Sequence, residues 1–390
     1  MKSKLSILFG LLMITSLVLS ACGGGGGGSS TTGEVTFWHA YATGSAEEVA
    51  LTKLLEGAAT DLPNVKINVL QVPFGDIFNK YRTDVASGGG PDMFVAPNDD
   101  LGNDARAGLL ADITDLAAGK LGDYSKLSID GMTVEGKLYG VPESLKAVVV
   151  WYNKDLLPTP PATTDELKAL MEGGTPVSFS YGCYHHYGFF GSFGGKVFDD
   201  SWKVVADQGG VADAMAYLND LYKISVANGW PKNDSDGLAP FTEGQMAIIT
   251  NGNWAMGDYR KALGDKLGVA PLPVGPNGDP STPLLGVDGF YFSPNSTNLE
   301  AALEVALYLT GKNAQTVMMT EAGHVPANTT VEVTDPLIQG LLDAFSTGYI
   351  RPQVPQLGNY WSNFCGTDQV FEAGVPAADW VAEATTNANK

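Results

Sequence analysis

The sequence predicts an α/β protein of two lobes, each discontinuous along the chain, around a ligand cleft with a hinge. Three observations favour this class. Strand and helix patterns alternate between residues 35 and 96, in the order of a doubly wound sheet. A short apolar run at 147–152 is typical of a strand that is buried on both faces, as in a parallel sheet between helices. A glycine-containing run at 286–292 has the character of a return crossover into the first lobe.

Strands and helices alternate in the first third of the chain. The runs that we predict as strands, rich in β-branched and apolar residues, are 35–38, 65–70 and 93–96. Ser45 followed by Glu48 predicts a helix start, because the two side chains can cap free backbone N–H groups. Ligands of such sheets bind at the carboxyl ends of the strands. Residues 39–43 and 97–100 should therefore lie at one rim.

A crossover at Lys146 should lead into a second lobe with its own sheet. The strands predicted there are 147–152, 177–181, 246–249 and 269–273, with a long helix over Val211–Asn228. We expect the chain to cross between the lobes near Lys146, Gly286 and Val331. The predicted boundaries are 34–146 with 287–331 for the first lobe and 147–286 with 332–390 for the second.

The N-terminus predicts export. Lys2 and Lys4 precede an apolar core at 5–19, which at about 15 residues is short for a bilayer span of roughly 20. Leu-Ser-Ala-Cys22 then resembles a bacterial lipobox, whose alternative is an ordinary signal with a chance cysteine. We expect a signal peptide over 1–21, a lipid on Cys22, and a flexible Gly/Ser tether over 22–33. The chain would then be anchored by lipid alone to the outer face of the cell membrane.

Composition narrows the classes of partner. Forty-three acidic and 23 basic residues give a formal net charge of −20, which disfavours nucleic acid and anionic membrane surfaces as partners. Neutral ligands and cations remain compatible. If Cys22 carries the lipid, Cys183 and Cys365 are left as a pair that could form a disulfide in an oxidising compartment. Two buried free thiols are the alternative.

Several segments together resemble one family. They are GKLYG-P with the following strand and YNKDLLP, SGGGPD with Pro97-Asn-Asp99, FTEGQMAIITNGNWAM, and GYIRPQVPQLGNYW. Across nearly all of residues 34–390 the chain is similar to the maltose/maltodextrin-binding proteins, family 1 of the bacterial extracellular solute-binding proteins. This resemblance implies the type II periplasmic-binding-protein fold and capture of a malto-oligosaccharide-type sugar by hinge closure. It further implies delivery to an ABC permease, a monomer, no cofactor and no catalysis.

The resemblance also implies a set of binding residues. Trp254, Trp361 and Tyr184 match stacking residues of the family, and aromatic faces suit the apolar CH faces of sugars. Asp99 matches a carboxylate that binds sugar hydroxyls. Core packing for the tryptophans and a solvated loop for the aspartate are the alternatives. The other residues that we predict at the ligand are His39, Tyr41, Asn98, Lys146, His185 and Asp288.

The chain departs from the best-known maltose receptors at several positions, which leaves the identity of the sugar open. The departures are Asp100 for a usual Arg, Ala96 for a Trp, Lys146 and Gly182 at often acidic positions, and Ala42-Thr43 for a charged pair. His39, Tyr41 and His185 either compensate for these changes or play structural roles. Another oligosaccharide is therefore an alternative ligand.

Two other classes of function remain as alternatives. A receptor for iron or a polyamine would draw on Tyr181, Tyr184 and Tyr187 and on the acidic charge, but the two tryptophan platforms argue against it. A secreted glycoside hydrolase needs a pair of carboxylates, and none can be assigned from the sequence. His185 and His186 are adjacent, and no spacing of metal ligands is present.

Overall fold

The computed structural model of the chain describes residues 31–390. The predicted signal peptide, Cys22 and most of the predicted tether lie outside the described residues. Within residues 31–390, no helix has both the length and the apolar character needed to cross a membrane.

The strands are numbered in chain order. They are β1 (Gly33–His39), β2 (Val65–Gln71), β3 (Met93–Pro97), β4 (Thr133–Val134), β5 (Lys137–Leu138), β6 (Gly140–Lys146), β7 (Val148–Asn153), β8 (Val177–Ser178), β9 (Ile248–Gly252), β10 (Leu267–Ala270), β11 (Leu284–Phe292), β12 (Val325–Pro326) and β13 (Tyr349–Ile350).

The helices are numbered in the same way. They are α1 (Ala46–Asp61), α2 (Phe74–Ala86), α3 (Leu101–Arg106), α4 (Lys126–Asp130), α5 (Thr164–Glu172), α6 (Cys183–Ser192), α7 (Val211–Asn228), α8 (Asp234–Thr242), α9 (Met256–Leu263), α10 (Leu299–Thr310), α11 (Lys312–Val317), α12 (Pro336–Phe345), α13 (Pro355–Phe364), α14 (Asp368–Phe371) and α15 (Ala377–Ala388). Short 3₁₀ turns lie at Asn253–Ala255 and Gly264–Lys266, and one π-helical turn lies at Met318–Ala322.

The first lobe is built on a seven-stranded sheet. Its strands follow the order β12-β6-β11-β3-β1-β2, with β13 paired to the start of β11. β1 pairs parallel with β2 and with β3, as the alternating pattern predicts. β11 returns to this sheet and runs antiparallel between β3 and β6, and every residue of it is buried. The return crossover expected at 286–292 is therefore part of the central strand of this sheet.

The second lobe is built on a four-stranded sheet of order β10-β7-β9-β8. β7 is buried along Val148–Trp151, as the apolar run predicts. The parallel pairing expected for β7 is wrong, because β7 runs antiparallel to both β9 and β10. Burial on both faces comes from the layers packed above and below the sheet, and it carries no information on strand direction. Only β8 and β9 pair parallel in this sheet.

One predicted strand is shorter than expected. The strand predicted over 177–181 ends at Ser178, where its pairing with β9 stops. Gly182 then adopts an extended backbone as the N-cap of α6, so the aromatic and histidine-rich segment that follows is helical.

Apolar clusters cover both faces of each sheet. In the first sheet, Phe37 and Val95 pack into one cluster, whereas their chain neighbours Trp38 and Phe94 pack into the other. This alternation follows from the two-residue period of strands. Two further clusters sandwich the second sheet. Each lobe thus has its own core.

The chain first passes from one sheet to the other between β6 and β7, and this passage is one residue long, Ala147. The side chain of Asn253 holds this crossover on both sides. Its Oδ1 accepts the N–H of Ala147 at 3.2 Å, and its Nδ2 donates to the carbonyl of Leu145 at 3.1 Å. The turn that carries Trp254 is therefore fixed directly to the crossover.

Candidate functional site

Lys146 and Asp288 lie on neighbouring strands at the crossover. β6 and β11 place Gly286 opposite Lys146 and Asp288 opposite Ser144. The Lys146 ammonium lies 2.5 Å from Asp288 Oδ2, and the two side chains are 12% and 2% exposed. Burial raises the pKa of Asp288 to about 6, although Lys146 opposes the rise. Burial lowers the pKa of Lys146, but Asp288 and Glu47 outweigh that effect, so this pKa is raised.

A buried network of charges extends from this pair. Glu47, in the first turn of α1, has its Oε1 3.4 Å from the Lys146 ammonium and 2.8 Å from His324 Nε2. The other ring nitrogen of His324, Nδ1, lies 2.8 Å from Glu143 on β6. Burial lowers the pKa of His324, but Glu143 and Glu47 outweigh it and raise this pKa to about 10. The histidine is therefore a cation that donates from both nitrogens.

Two aromatic rings of the second lobe face the crossover. The rings of Tyr184 on α6 and Trp254 lie 6.1 Å apart, and the Lys146 ammonium lies 5.8 Å above the Trp254 ring. The Tyr184 hydroxyl donates to the carbonyl of Leu284 at 3.1 Å. A Cβ at Gly252 would lie 1.8 Å from the indole of Trp254. The glycine therefore lets the indole pack against the backbone of its own turn.

Arg351 lies between the two lobes. Its Nη1 donates to Asn98 Oδ1 at 3.1 Å and also bonds the carboxylate of Asp99. Its guanidinium carbon lies 5.0 Å from the ring centre of Tyr184 and 5.8 Å from that of Trp361. Burial raises the pKa of Asp99 against the opposing effect of Arg351. One cation thus joins a carboxylate of the first lobe to two aromatic faces of the second.

Asn98 is fully buried, and the protein itself occupies its hydrogen-bonding groups. Its Oδ1 accepts the N–H of Val287 at 3.1 Å as well as Arg351, and its Nδ2 donates to the carbonyl of Gly131 at 2.9 Å. The structure therefore places Asn98 beneath the site, as a support for Arg351.

A disulfide joins Cys183 and Cys365, with their Cα atoms 4.9 Å apart, so the predicted bridge is confirmed. It links the first residue of α6 to the residue that follows α13. The hydroxyl of Tyr360 also donates to the carbonyl of Cys183 at 3.1 Å. Tyr184 and Trp361, one on each helix, are thereby held in one wall.

His185 follows Tyr184 on α6 and meets the edge of Trp254, with ring centres 5.9 Å apart. Its Nε2 lies 3.4 Å from Asn251 Oδ1 and 3.9 Å from a carboxylate oxygen of Asp234. Burial lowers the pKa of His185, with Asp234 opposing. This residue borders the aromatic wall.

His39 and Tyr41 lie at the margin of the charged network. Their rings are 5.8 Å apart, and the Tyr41 ring meets that of His324 edge-on at 6.0 Å. Both are buried, and Tyr41 belongs to the core of the first lobe. Burial lowers the pKa of His39. Among the predicted residues, His39 meets Tyr41.

Several buried polar atoms at this place have no hydrogen-bond partner among the described residues. They are Asp288 Oδ1, Arg351 Nε, Trp361 Nε1 and His39 Nδ1. A buried polar atom without a partner costs about 1–3 kcal/mol, so a ligand that bonds these atoms would remove that cost. Acceptors, donors and aromatic faces therefore converge at the junction of the two lobes.

The sequence analysis did not single out four residues of the site: Glu47, Glu143, His324 and Arg351. Arg351 lies in the segment GYIRPQVPQLGNYW, whose family resemblance could have indicated it. Glu143 lies in the polar patch before the crossover. Glu47 and His324 carry no local signal, because they are 277 residues apart and meet only in the folded chain.

The fold and the site define a two-lobe binding protein with a polar and aromatic junction between its lobes. Residues 54–340 match the family model described as bacterial extracellular solute-binding protein. The chain belongs to this family, which consists of binding proteins and not of enzymes. The resemblance inferred from the sequence is thereby confirmed.

Two relatives and one solved structure show what the chain is similar to. It is 28% identical to the maltotriose-binding protein of Pyrococcus abyssi, over 87% of this chain and 78% of that protein. It is 27% identical to a maltooligosaccharide ABC transporter solute-binding lipoprotein of Streptococcus pneumoniae, over 73% and 72%. The Thermus thermophilus maltotriose binding protein bound with maltotriose superposes with a TM-score of 0.82 at 26% identity, covering 91% and 99% of the two chains. The predicted two-lobe type II fold is confirmed.

Proposed function

We propose that the protein is the extracellular sugar receptor of an ABC importer, which captures malto-oligosaccharide-type sugars by hinge closure and delivers them to a membrane permease. The observation that carries this proposal is the arrangement at the lobe junction. Three aromatic rings of the second lobe, Tyr184, Trp254 and Trp361, adjoin the ion pairs of Asp99 and Asp288. The names of the relatives support the same class of ligand.

The chemistry of the junction suits a neutral ligand with many hydroxyls. A sugar presents apolar CH faces that pack on aromatic rings, and hydroxyls that both donate and accept hydrogen bonds. Carboxylates such as Asp99 and Asp288 accept from hydroxyls, and the N–H groups of Arg351 and Trp361 donate to them. The unpartnered atoms on Asp288, Arg351 and Trp361 supply both kinds of group.

The iron and polyamine alternatives lose their basis in this geometry. The hydroxyl of Tyr181 lies 3.0 Å from that of Ser225 inside the second lobe, and Tyr187 packs in the same core. The tyrosine hydroxyls thus do not converge on one point with Tyr184. Lys146 and Arg351 already pair with Asp288 and Asp99, the carboxylates that a cationic ligand would need.

The lipid anchor on Cys22, the permease subunits as partners, the monomeric state and the predicted lobe boundaries form part of the same proposal. The lipoprotein relative of Streptococcus pneumoniae supports the anchor and the transporter. Export and a flexible tether would leave the two lobes free to close around a ligand outside the cell.

Titration calorimetry tests the proposal. The protein from residue 31 onward is titrated with maltose, maltotriose, maltotetraose, a galacto-oligosaccharide, spermidine and ferric ion. We expect saturable binding of malto-oligosaccharides without release of shorter sugars. Tight binding of iron or spermidine with no response to any sugar would contradict the proposal, and so would sugar hydrolysis detected by chromatography.

Replacing Trp254 by alanine should weaken maltotriose binding by tenfold or more, because a central aromatic anchor typically contributes about 2 kcal/mol or more. The matched control is Trp202→Ala, since Trp202 lies in the same lobe, is 38% exposed and meets the ring of Phe198 edge-on. Its affinity should stay within twofold of wild type. Equal affinities for wild type and Trp254→Ala would remove Trp254 from the site.

A further inference from the structure

We propose that Arg351 is a specificity-determining residue of the sugar site. Together with Asp99 it would bind two adjacent hydroxyls of one sugar unit beside Tyr184 and Trp361. The inference rests on the proposed function and goes further, because it names the group that distinguishes one pattern of hydroxyls from another.

The backbone brings Arg351 to the crossover. β13 ends at Ile350 and pairs with Leu284 and Leu285 at the start of β11, and the N–H of Arg351 continues this pairing by donating to the carbonyl of Leu285 at 2.9 Å. A Cβ at Gly286 would lie 3.1 Å from Nη1 of the arginine. The absence of a side chain at Gly286 therefore makes room for the guanidinium of Arg351, whose side chain is only 3% exposed.

The guanidinium is only partly used by the protein. Its Nη1 bonds Asn98 and Asp99, but its Nε is buried with no hydrogen-bond partner among the described residues. A buried donor without a partner is costly, and a planar guanidinium offers donors along more than one edge. The free donor therefore belongs to the same group that contacts the rings of Tyr184 and Trp361.

Donor and acceptor chemistry then defines what this place can recognise. A guanidinium only donates hydrogen bonds and an ionised carboxylate only accepts them, whereas each sugar hydroxyl does both. One hydroxyl can accept from Arg351 Nε while its neighbour donates to the carboxylate of Asp99. A ligand that lacks either hydroxyl leaves a buried charged group unsatisfied, which is how polar sites reject close analogues.

The segment around Arg351 is bonded to α3 of the first lobe through Gln353. Gln353 accepts the N–H of Gly102 through its Oε1 at 3.1 Å and donates from Nε2 to the carbonyl of Asn98 at 3.2 Å. Its own carbonyl accepts from Nη1 of Arg106 at 3.0 Å. In the form that the structure describes, these bonds tie the segment to α3 and hold the arginine beside Asp99.

The test combines protein variants with ligand analogues. Arg351→Lys keeps the positive charge opposite Asp99 but removes the planar guanidinium and its set of N–H donors. Calorimetry should show maltotriose binding at least tenfold weaker than in wild type. The control is Arg82→Lys, because Arg82 also pairs with two carboxylates, Asp100 and Asp104, and lies 5.8 Å from the ring of Phe78, outside the site. Arg82→Lys should bind maltotriose within twofold of wild type.

Monodeoxy analogues of maltotriose, each lacking one hydroxyl, separate recognition from structural support. In wild type the analogues that lack either of two adjacent hydroxyls on one ring should bind at least tenfold more weakly than maltotriose. In Arg351→Lys the penalty for the hydroxyl that contacts the arginine should largely disappear, whereas the other penalties remain. Asp99→Asn should relax the penalty for the neighbouring hydroxyl.

Two results would overturn the inference alone, with the proposed function intact. One is wild-type affinity in Arg351→Lys, and the other is an equal loss for maltotriose and every analogue, as expected of an arginine that only joins the lobes. Failure of wild type to bind any malto-oligosaccharide would instead overturn both the inference and the proposed function.

Discussion

At the scale of single residues, the charge on His324 requires explanation. Its two ring nitrogens both donate to carboxylates, those of Glu47 and Glu143, and the histidine and Glu143 are almost fully buried. A buried cation is stable only when it is paired and hydrogen-bonded, and removing one member leaves an uncompensated charge. The imidazolium joins the first turn of α1 to the crossover strand β6. It therefore holds in place Glu47, which pairs with Lys146.

The stability of the protein should depend on the charge of His324 in alkaline solution. The folded pKa of about 10 exceeds the ordinary value of 6.5, so this contribution is complete below about pH 6.5 and is lost as the pH rises through about 10. The free energy of unfolding can be measured by denaturation with guanidinium chloride at several pH values between 7 and 9.5. It should fall more steeply with rising pH in wild type than in His324→Gln. At pH 7 the variant should be about 3–5 kcal/mol less stable.

Asp288 serves as an internal check on that experiment. Its raised pKa of about 6 leaves it mostly ionised throughout the chosen pH range, so its effect is confined to lower pH. If the stabilities of wild type and His324→Gln changed in parallel above pH 7, His324 would not carry a charge in the folded protein.

Residue type predicts part of the site and misses its ion pairs. The segments that resemble the family indicated Trp254, Trp361 and Tyr184, and these three side chains lie at the candidate site. The pairing of Arg351 with Asp99 could not be predicted, since the partners are 252 residues apart and attraction between them leaves no local pattern. Asn98 was predicted at the ligand, and in the structure its side chain bonds Val287, Gly131 and Arg351, contacts that the sequence did not indicate.

At the scale of elements, one close contact joins α3 of the first lobe to the segment that leads into α13. The contact depends on Gly102, because a Cβ there would lie 2.8 Å from the carbonyl oxygen of Gln353. α13 approaches the same helix at Gly358, whose Cβ would lie 3.0 Å from the side chain of Asn103. Two glycines thus allow two elements to meet closely.

Gly102→Ala should push α3 and the segment around Gln353 apart and lower the stability of the protein. The added methyl group forces the Gln353 backbone away from α3, and overpacking of this kind costs about 1–3 kcal/mol. The control is Gly75→Ala in α2, where a Cβ would have nothing within 4 Å, so stability should be unchanged or rise by up to about 1 kcal/mol. Thermal and chemical denaturation measure both. Equal stabilities of the two variants would show that the contact is not tight in solution.

Sequence patterns predict the kind of an element better than its partners. The apolar run at 147–152 correctly indicated a buried strand, but the direction of its neighbours depends on where the chain goes next. The strand predicted over 177–181 ends at Ser178, and the segment Cys183–Ser192, for which no element was predicted, is a helix. The burial of an element can be predicted from the periodicity of its apolar residues. The direction of its pairing cannot, because it depends on distant parts of the chain.

At the scale of the whole molecule, the chain has two distinct sheets, which are joined directly at Ala147. Each sheet has apolar clusters on both faces, and the direct passage from β6 to β7 is one residue long. The bonds that Arg351 and Gln353 make across the junction are polar, and they exchange readily with water in an open form. Such a molecule should respond to ligand by hinge motion, because the ligand adds contacts only to the closed form.

Ligand binding should therefore make the molecule more compact. Small-angle X-ray scattering of the protein from residue 31 onward should show a smaller radius of gyration in saturating maltotriose than in buffer. Trp254→Ala at the same maltotriose concentration, chosen below the dissociation constant of that variant, should keep the radius of the ligand-free protein. The comparison separates closure driven by the site from any effect of the sugar on the solvent. Calorimetric saturation of wild type with no change in its radius would show that this receptor binds without closing, since the closed form would then already predominate before the ligand arrives.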